Sequence, residues 1–192
     1  MPAPPRRVQP VFALPTPIKL SVLYAWLASY HNISDSAILR EGFSRGFSLG
    51  YNGPRVARDS DCLRSALSQP ENVKEKLAKE IQAGRIAGPF TARPLDNLQC
   101  SPIGLVPKKE PGSFRLIHHL SFPHGISIND FIDGEQCRVQ YASFDVAVEL
   151  VVQSGRGAYM AKSDIKSAFR LLPVSPRDYE LLGFKCENRF YL

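Results

Sequence analysis

One carboxylate in this 192-residue sequence stands in a setting that suits metal chemistry. Asp164 lies in the run AKSDIKSAF, directly after residues 158–163, which we predict to be a short β-strand. A carboxylate at the end of a strand is held in place yet faces solvent, and magnesium usually takes one or two protein carboxylates together with water and substrate phosphates. Asp164 is therefore a candidate metal ligand, and its alternative role is to cap the following turn.

The residues after Asp164 add a second group that suits phosphate. A turn or short helix is expected over residues 165–172, and it would aim the backbone N–H groups of Ser167 and Ala168 at the same point as the carboxylate. Clusters of backbone amides bind phosphate oxygens. On its own, however, the aspartate is more simply explained as a cap, so the case for a site depends on the rest of the sequence.

Two overlapping Gly-x-Ser-x-Gly patterns, centred on Ser44 and Ser48, suggest a serine hydrolase as a competing hypothesis. In that class of enzyme a buried strand precedes the serine and a helix follows it. Here a polar helical stretch precedes the serines and turn-forming residues follow them. We therefore predict that residues 42–54 form a glycine-rich loop, and we keep the hydrolase as the least favoured hypothesis.

The histidines and cysteines give little support for a metal centre. His118 and His119 are adjacent on a predicted strand and would face opposite sides, so they cannot easily share one ion, and one core and one exposed histidine are expected. The four cysteines occur singly without a CxxC pair, which argues against a disulfide scaffold and a zinc module. The chain also lacks the GxxxxGK[ST] pattern, so Lys108 and Lys109 do not belong to a P-loop.

The clearest local signal is a β-hairpin with basic residues beside its turn. Residues 103–109 (IGLVPKK) and 114–120 (FRLIHHL) are strand-like runs, and Glu110-Pro111-Gly112-Ser113 joins them. Proline followed by glycine at the two central positions is typical of a type II turn, because glycine takes the positive φ cheaply.

Other segments follow from apolar spacing and turn residues. Six of the sixteen prolines fall in residues 1–17, which predicts a disordered Pro-rich arm. The remaining predictions are helices over 18–30, from Ser34 or Asp35 toward Glu41, over 70–83 and over 141–153, an interrupted strand over 86–93 and a final hairpin over 181–192.

Composition restricts the class of protein. The chain carries 24 Lys+Arg against 18 Asp+Glu, a net charge of +6 that is compatible with a phosphate-bearing partner. No apolar run approaches the ~20 residues of a bilayer span, so a membrane protein is not expected. The N-terminus lacks the apolar core of a signal peptide, which predicts an intracellular protein without assigning a compartment.

In combination, these motifs resemble a known family. VPKKEPGSFRLIHHLSFP, followed about fifty residues later by AKSDIKSAFRLLPV, resembles the fingers hairpin and first catalytic motif of reverse transcriptases. From about Leu20 to Leu192 the chain is similar to the N-terminal half of the polymerase region of DIRS-type retrotransposons, through GRIAGPF, SPIGLVPKK, FRLIHHLSFPHGISIND and KSDIKSAFRLLPV. The resemblance implies an α+β fold, with a helical N-terminal region over 18–85 and the fingers and partial palm of a right-hand polymerase over 86–192.

The resemblance also implies roles for individual residues. Asp164 corresponds to the first catalytic carboxylate, which binds Mg²⁺ or Mn²⁺ together with the backbone carbonyl of Ile165. Arg115 corresponds to the arginine that grips the triphosphate of the incoming deoxynucleotide, assisted by Lys108 or Lys109.

The same resemblance extends the nucleotide site to the segment after Asp164. Ser167 and Ala168 would offer amides to the triphosphate, and Phe169 corresponds to the bulky ring that excludes a 2′-hydroxyl. The implied partners are deoxynucleotides and an RNA or DNA template-primer.

The sequence departs from the family at the second metal-binding motif. Reverse transcriptases use two metal ions, and the family takes further carboxylates from a Tyr-x-Asp-Asp hairpin. This chain contains no adjacent pair of aspartates, so we expect that it does not polymerise DNA by itself. The alternative is a non-catalytic nucleic-acid-binding remnant. Ribonuclease H and recombinase regions, which often follow in the family's polyproteins, are not recognised here.

Overall fold

The computed structural model describes residues 14–165 and 167–192. Residues 1–13 of the predicted Pro-rich arm lie outside the described residues. The structure combines helices with two small antiparallel sheets, so the predicted α+β class is confirmed at this level. In chain order the elements are α1 (Leu20–Leu27), α2 (Ile33–Arg45), α3 (Arg64–Leu67), α4 (Pro70–Gln82), β1 (Ile103–Pro107), β2 (Phe114–His118), α5 (Phe144–Ser154), β3 (Phe184–Cys186) and β4 (Arg189–Tyr191), with short 3₁₀ helices at Asn129–Phe131, Ala168–Leu171 and Pro176–Leu181.

The basic hairpin forms as predicted. Strands β1 and β2 pair antiparallel, with Ile103 opposite His118 and Pro107 opposite Phe114. In the turn, the Ser113 N–H donates to the Glu110 carbonyl at 3.1 Å, and Gly112 has φ +73°. Local turn chemistry therefore fixes the register of this hairpin.

The final hairpin is confirmed as well. Strands β3 and β4 pair antiparallel, with Phe184 opposite Tyr191 and Cys186 opposite Arg189. The two turn residues, Glu187 and Asn188, both have positive φ, as a two-residue hairpin turn of the primed type requires.

The prediction of a loop over residues 42–54 is wrong at its beginning. Helix α2 starts one residue after Asn32, whose side chain accepts a hydrogen bond from the Asp35 N–H at 3.1 Å, so Asn32 rather than Ser34 or Asp35 is the cap. The helix continues through Gly42 to Arg45 and ends at Gly46, which has φ +87°. Ser44 therefore lies in the last helical turn, not in the strand-to-helix turn that a hydrolase needs.

The other predicted helices are confirmed with small shifts of their ends. Helix α4 has Pro70 in its first turn and is followed by Gly84 at φ +68°, as expected for a helix that ends near a glycine. Helix α5 begins after Ser143, whose side chain accepts a hydrogen bond from the Val146 N–H at 3.3 Å.

Two predicted strands do not form, and each lacks a continuous pairing partner. Residues 86–93, interrupted by Gly88-Pro89, contribute only an isolated bridge between Phe90 and Phe190. Residues 158–163 have no regular structure, and every described residue from 133 to 170 is exposed. A strand is stable only when its backbone groups pair with a neighbour, and the described part of the chain offers none beside residues 158–163.

Two hydrophobic clusters form in the described part of the chain. The first joins α3 and α4 to the hairpins and draws residues from both sides of the predicted boundary at residue 86; it contains Ala66, Val73, Leu77, Ile103, Leu105 and Phe184. The second contains Tyr51, Ile128 and Leu181. Among the described helices, none is both long enough and apolar enough to span a bilayer.

Candidate phosphate-binding site

A basic concavity of about 430 Å³ lies at the turn end of the β1–β2 hairpin. Its walls are formed by Val106, Pro107, Lys108, Lys109, Glu110 and Arg115. The structure thus brings together the three cations that the sequence analysis selected for nucleotide binding. We call this concavity the hairpin site.

The strand register explains why Arg115 reaches the hairpin site. Leu105 lies opposite Leu116, and both pack in or against the first hydrophobic cluster. Val106 lies opposite Arg115, and successive side chains of a strand point to opposite faces. Arg115 is therefore on the outer face, where it is exposed.

Backbone pairing places the two lysines where the strands meet the turn. The Lys108 N–H donates to the Ser113 carbonyl at 2.8 Å, which extends the ladder by one step beyond β1. Lys109 follows as the residue before the turn's first position. Because the turn is short and hydrogen-bonded, both lysines stay close to Arg115.

The charge of the hairpin site is positive. Within the described part of the chain, Lys108, Lys109 and Arg115 form no salt bridge. Glu110 is the single acidic residue in the lining, so three positive charges against one negative leave +2. A guanidinium can hold a phosphate through two hydrogen bonds while a lysine adds a point charge, so this lining suits a phosphate group.

Asp164 and Ile165 lie elsewhere, in the exposed stretch that precedes the 3₁₀ helix Ala168–Leu171. Neither lines the hairpin site. No group of three or more His, Cys, Asp or Glu residues that could hold a metal occurs among residues 14–165 and 167–192. The predicted donor set is thus one carboxylate and one backbone carbonyl, which do not by themselves make a preformed metal site.

The remaining predicted nucleotide contacts lie at the start of the same 3₁₀ helix, which contains Ala168 and Phe169. Ser167 precedes it with φ +56°, and the Phe169 ring is 90% exposed. Arg170, one residue further on, pairs with Glu80 at 2.6 Å and so connects this segment to α4. No described contact joins Ser167, Ala168 or Phe169 to the hairpin site.

His118 serves the core rather than a metal. One ring nitrogen lies 3.1 Å from the Gly183 carbonyl, and the ring packs edge-on against Phe184. Burial lowers the pKa of His118 to about 4, outweighing the hydrogen bonds that favour its charged form. His119 packs against Phe122 and is half-buried, not exposed as predicted.

Two features of the structure were not predicted from the sequence. Arg55 donates to Asp178 at 2.6 Å and to Glu180 at 2.9 Å, and these bonds raise the pKa of Arg55. Cys62 and Cys186 line one pocket. Both pairings join residues more than a hundred positions apart, and no local pattern signals such a contact.

Sequence comparison with known proteins identifies no family for this chain. No protein-family model matches the sequence, and no curated protein matches it. The chain is similar in structure to a foamy viral protease-reverse transcriptase solved in complex with dsDNA, with a TM-score of 0.45 and 12% sequence identity. The similarity covers 91% of this chain and 37% of that one, so the chain spans little more than a third of the viral protein's length.

Proposed function

We propose that this chain is the fingers region and the beginning of the palm of a reverse transcriptase of the DIRS type, and that its hairpin site binds nucleotide phosphate. The observation that carries the proposal is the convergence of Lys108, Lys109 and Arg115 on one concavity, where they outnumber the single acidic residue Glu110 and form no salt bridge among the described residues. The sequence motifs support the choice of family, since the same residues stand in VPKKEPGSFR.

The chemistry of the proposed reaction suits such a site. In an intact enzyme of this kind, the 3′-hydroxyl of a primer attacks the α-phosphate of a deoxynucleotide and pyrophosphate leaves. The protein contributes mainly by positioning the reactants and by stabilising negative charge. Arg115 would hold the triphosphate in a fixed orientation, and the two lysines would attract it.

The assignment of Mg²⁺ or Mn²⁺ to Asp164 and the Ile165 carbonyl is part of the proposal. One carboxylate suffices for an ion only if water and phosphate oxygens complete its coordination. Because the chain has no adjacent pair of aspartates, we expect no primer extension from this polypeptide alone. Amides of Ser167 and Ala168 and the ring of Phe169 complete the proposed nucleotide contacts.

Binding of a primer–template duplex at several salt concentrations tests the proposal. Each phosphate contact contributes about −0.9 to the slope of log affinity against log salt for duplex DNA. Replacing Lys108, Lys109 and Arg115 together by glutamine should therefore make the negative slope shallower by about 2 to 3. The matched control replaces three exposed arginines away from the hairpin site by glutamine: Arg64, Arg138 and Arg189.

The control distinguishes a site from bulk charge, because both variants lose three positive charges. Equal slopes for the two variants would show that the hairpin has no special role. A deoxynucleotide triphosphate that pairs with the template should increase the affinity of the wild-type protein for the primer–template duplex. Salt-dependent binding of the duplex whose affinity does not change when the triphosphate is added would instead support the non-catalytic nucleic-acid-binding remnant.

A further inference from the structure

Two cysteines far apart in the sequence share a small pocket on the first hydrophobic cluster. Cys62 precedes α3, and Cys186 is the last residue of β3. Both are half-buried, both carry free thiols, and both line a pocket of about 90 Å³. The Cys62 thiol lies 3.2 Å from the carbonyl oxygen of Lys185, the residue before Cys186, so backbone contacts hold it beside that strand.

The electrostatics of the pocket differentiate the two thiols. The neighbouring Cys62 thiol and the ammonium of Lys74, which lines the same pocket, lower the pKa of Cys186 and outweigh burial and the carboxylate of Glu187, which raise it. The Cys186 sulfur and burial raise the pKa of Cys62. These opposite directions favour Cys186 over Cys62 as the attacking sulfur, since the thiolate is the nucleophile in thiol chemistry.

We propose that Cys62 and Cys186 form a redox-active dithiol that exchanges with a low-molecular-weight disulfide such as oxidised glutathione. The inference rests on the pocket that the two cysteines share and on the contact that holds Cys62 beside β3, and it is independent of the proposed function.

The exchange balances in two steps. The Cys186 thiolate attacks one sulfur of the glutathione disulfide, the S–S bond breaks, and one glutathione thiolate leaves. Cys62 then loses its proton to solvent and attacks the Cys186 sulfur of the mixed disulfide, which expels the second glutathione. The protein loses two electrons and two protons, and the glutathione disulfide is reduced to two thiols.

The other two cysteines lack this arrangement. Cys100 is fully buried, and burial raises its pKa to about 11. Cys137 is exposed, and it lies in the stretch 133–170, where no described residue is buried. We therefore expect Cys137 to stop at the mixed disulfide with glutathione and Cys100 to stay reduced.

The test is peptide mapping by mass spectrometry after the full chain has been equilibrated with graded ratios of reduced to oxidised glutathione and alkylated. The wild type should yield a linked Cys62–Cys186 peptide, and Cys137→Ser should yield the same link. Cys62→Ser should instead accumulate the mixed disulfide at Cys186. Oxidation should also raise the Tm by roughly 5–10 °C, because the link closes a long loop, and a reductant should reverse the rise.

If Cys62→Ser fails to fold, peptide mapping of the wild-type chain alone still tests the proposal. A reduced Cys62–Cys186 pair at ratios that modify Cys137 would overturn it. A persistent glutathione adduct on Cys186 of the wild type, or a link from either residue to another cysteine, would overturn it equally.

Discussion

Arg115 lies directly opposite Val106 across the β1–β2 hairpin, while the next pair, Leu105 and Leu116, faces the hydrophobic core. Because side chains alternate along a strand, a shift of one residue in the register would turn Arg115 toward the core. The turn that fixes this register is therefore part of the hairpin site. Gly112 carries the constraint, since its φ of +73° suits glycine.

Replacing Gly112 by alanine should destabilise the protein by about 1 kcal/mol, because an L-residue is strained in the left-handed region. An alanine Cβ at this position meets no atom within 4 Å, so backbone strain is the sole cause. Urea denaturation measures the change, and duplex binding should weaken in parallel as the turn loosens. Gly134→Ala is the control, because its φ is outside that region and its surroundings are open; equal losses in the two variants would contradict the explanation.

The buried carboxylate of Asp178 should contribute more to stability than surface ion pairs do. Its side chain is 3% exposed and accepts hydrogen bonds from Arg55 at 2.6 Å and from the Leu49 N–H at 2.9 Å. Asp178→Asn should cost about 2 kcal/mol of unfolding free energy, since it removes the buried one of the two counter-charges of the Arg55 guanidinium and leaves Glu180 as its single acidic partner. The exposed pair of Glu135 and Arg138 provides the control: Glu135→Gln should leave the urea midpoint unchanged. Equal effects of the two substitutions would argue against the network.

His118 should make the protein acid-sensitive. Its pKa falls from 6.5 to about 4 on folding because the ring is buried, so the unfolded chain binds the proton more tightly. Titration of His118 therefore leaves the free energy of unfolding unchanged above pH 6.5. As the pH falls from 6.5 toward 4, the free energy of unfolding decreases by roughly 3 kcal/mol in all. Denaturation midpoints between pH 7 and pH 4 measure this loss of stability. The control variant His119→Gln should show the same loss, because it keeps His118. Titration of the His118 imidazole by NMR gives the direct check, and a pKa near 6.5 in the folded protein would refute the assignment.

Asp164 should control only the metal-dependent part of triphosphate binding. Asp164→Asn should abolish the gain in affinity that Mg²⁺ gives the wild type. Metal-free affinity should stay the same or rise slightly, because one negative charge is removed. Isothermal titration with and without Mg²⁺ measures both. Asp145→Asn, in exposed helix α5, is the matched control; an identical magnesium effect in both variants would remove Asp164 from the proposed site.

Local signals account for the parts of the fold that the sequence predicted. Both hairpins carry their turn chemistry within a few residues, at Pro111-Gly112 and at Glu187-Asn188, and both form. The strand expected over 158–163 lacks a pairing partner among the described residues, and pairing is a property of the tertiary structure.

The same distinction applies to the candidate site. Lys108, Lys109 and Arg115 converge because one short hairpin carries all three, so their proximity was predictable. The ion pair between Arg170 and Glu80, which attaches the segment after Asp164 to α4, depends on contacts across ninety residues and leaves no sequence pattern.

Triphosphate binding by Arg115 variants tests the central claim most directly. A deoxynucleotide triphosphate is titrated into the wild type and three variants. Arg115→Gln removes the guanidinium and Arg115→Lys keeps the positive charge without it. The control Arg189→Gln removes a positive charge away from the hairpin site. Arg115→Gln should bind about tenfold more weakly, equivalent to about 1.4 kcal/mol, and Arg115→Lys should recover only part of that loss because lysine cannot bind in bidentate fashion. Arg189→Gln should bind as the wild type does. Equal affinity of Arg115→Gln and the wild type would contradict the account.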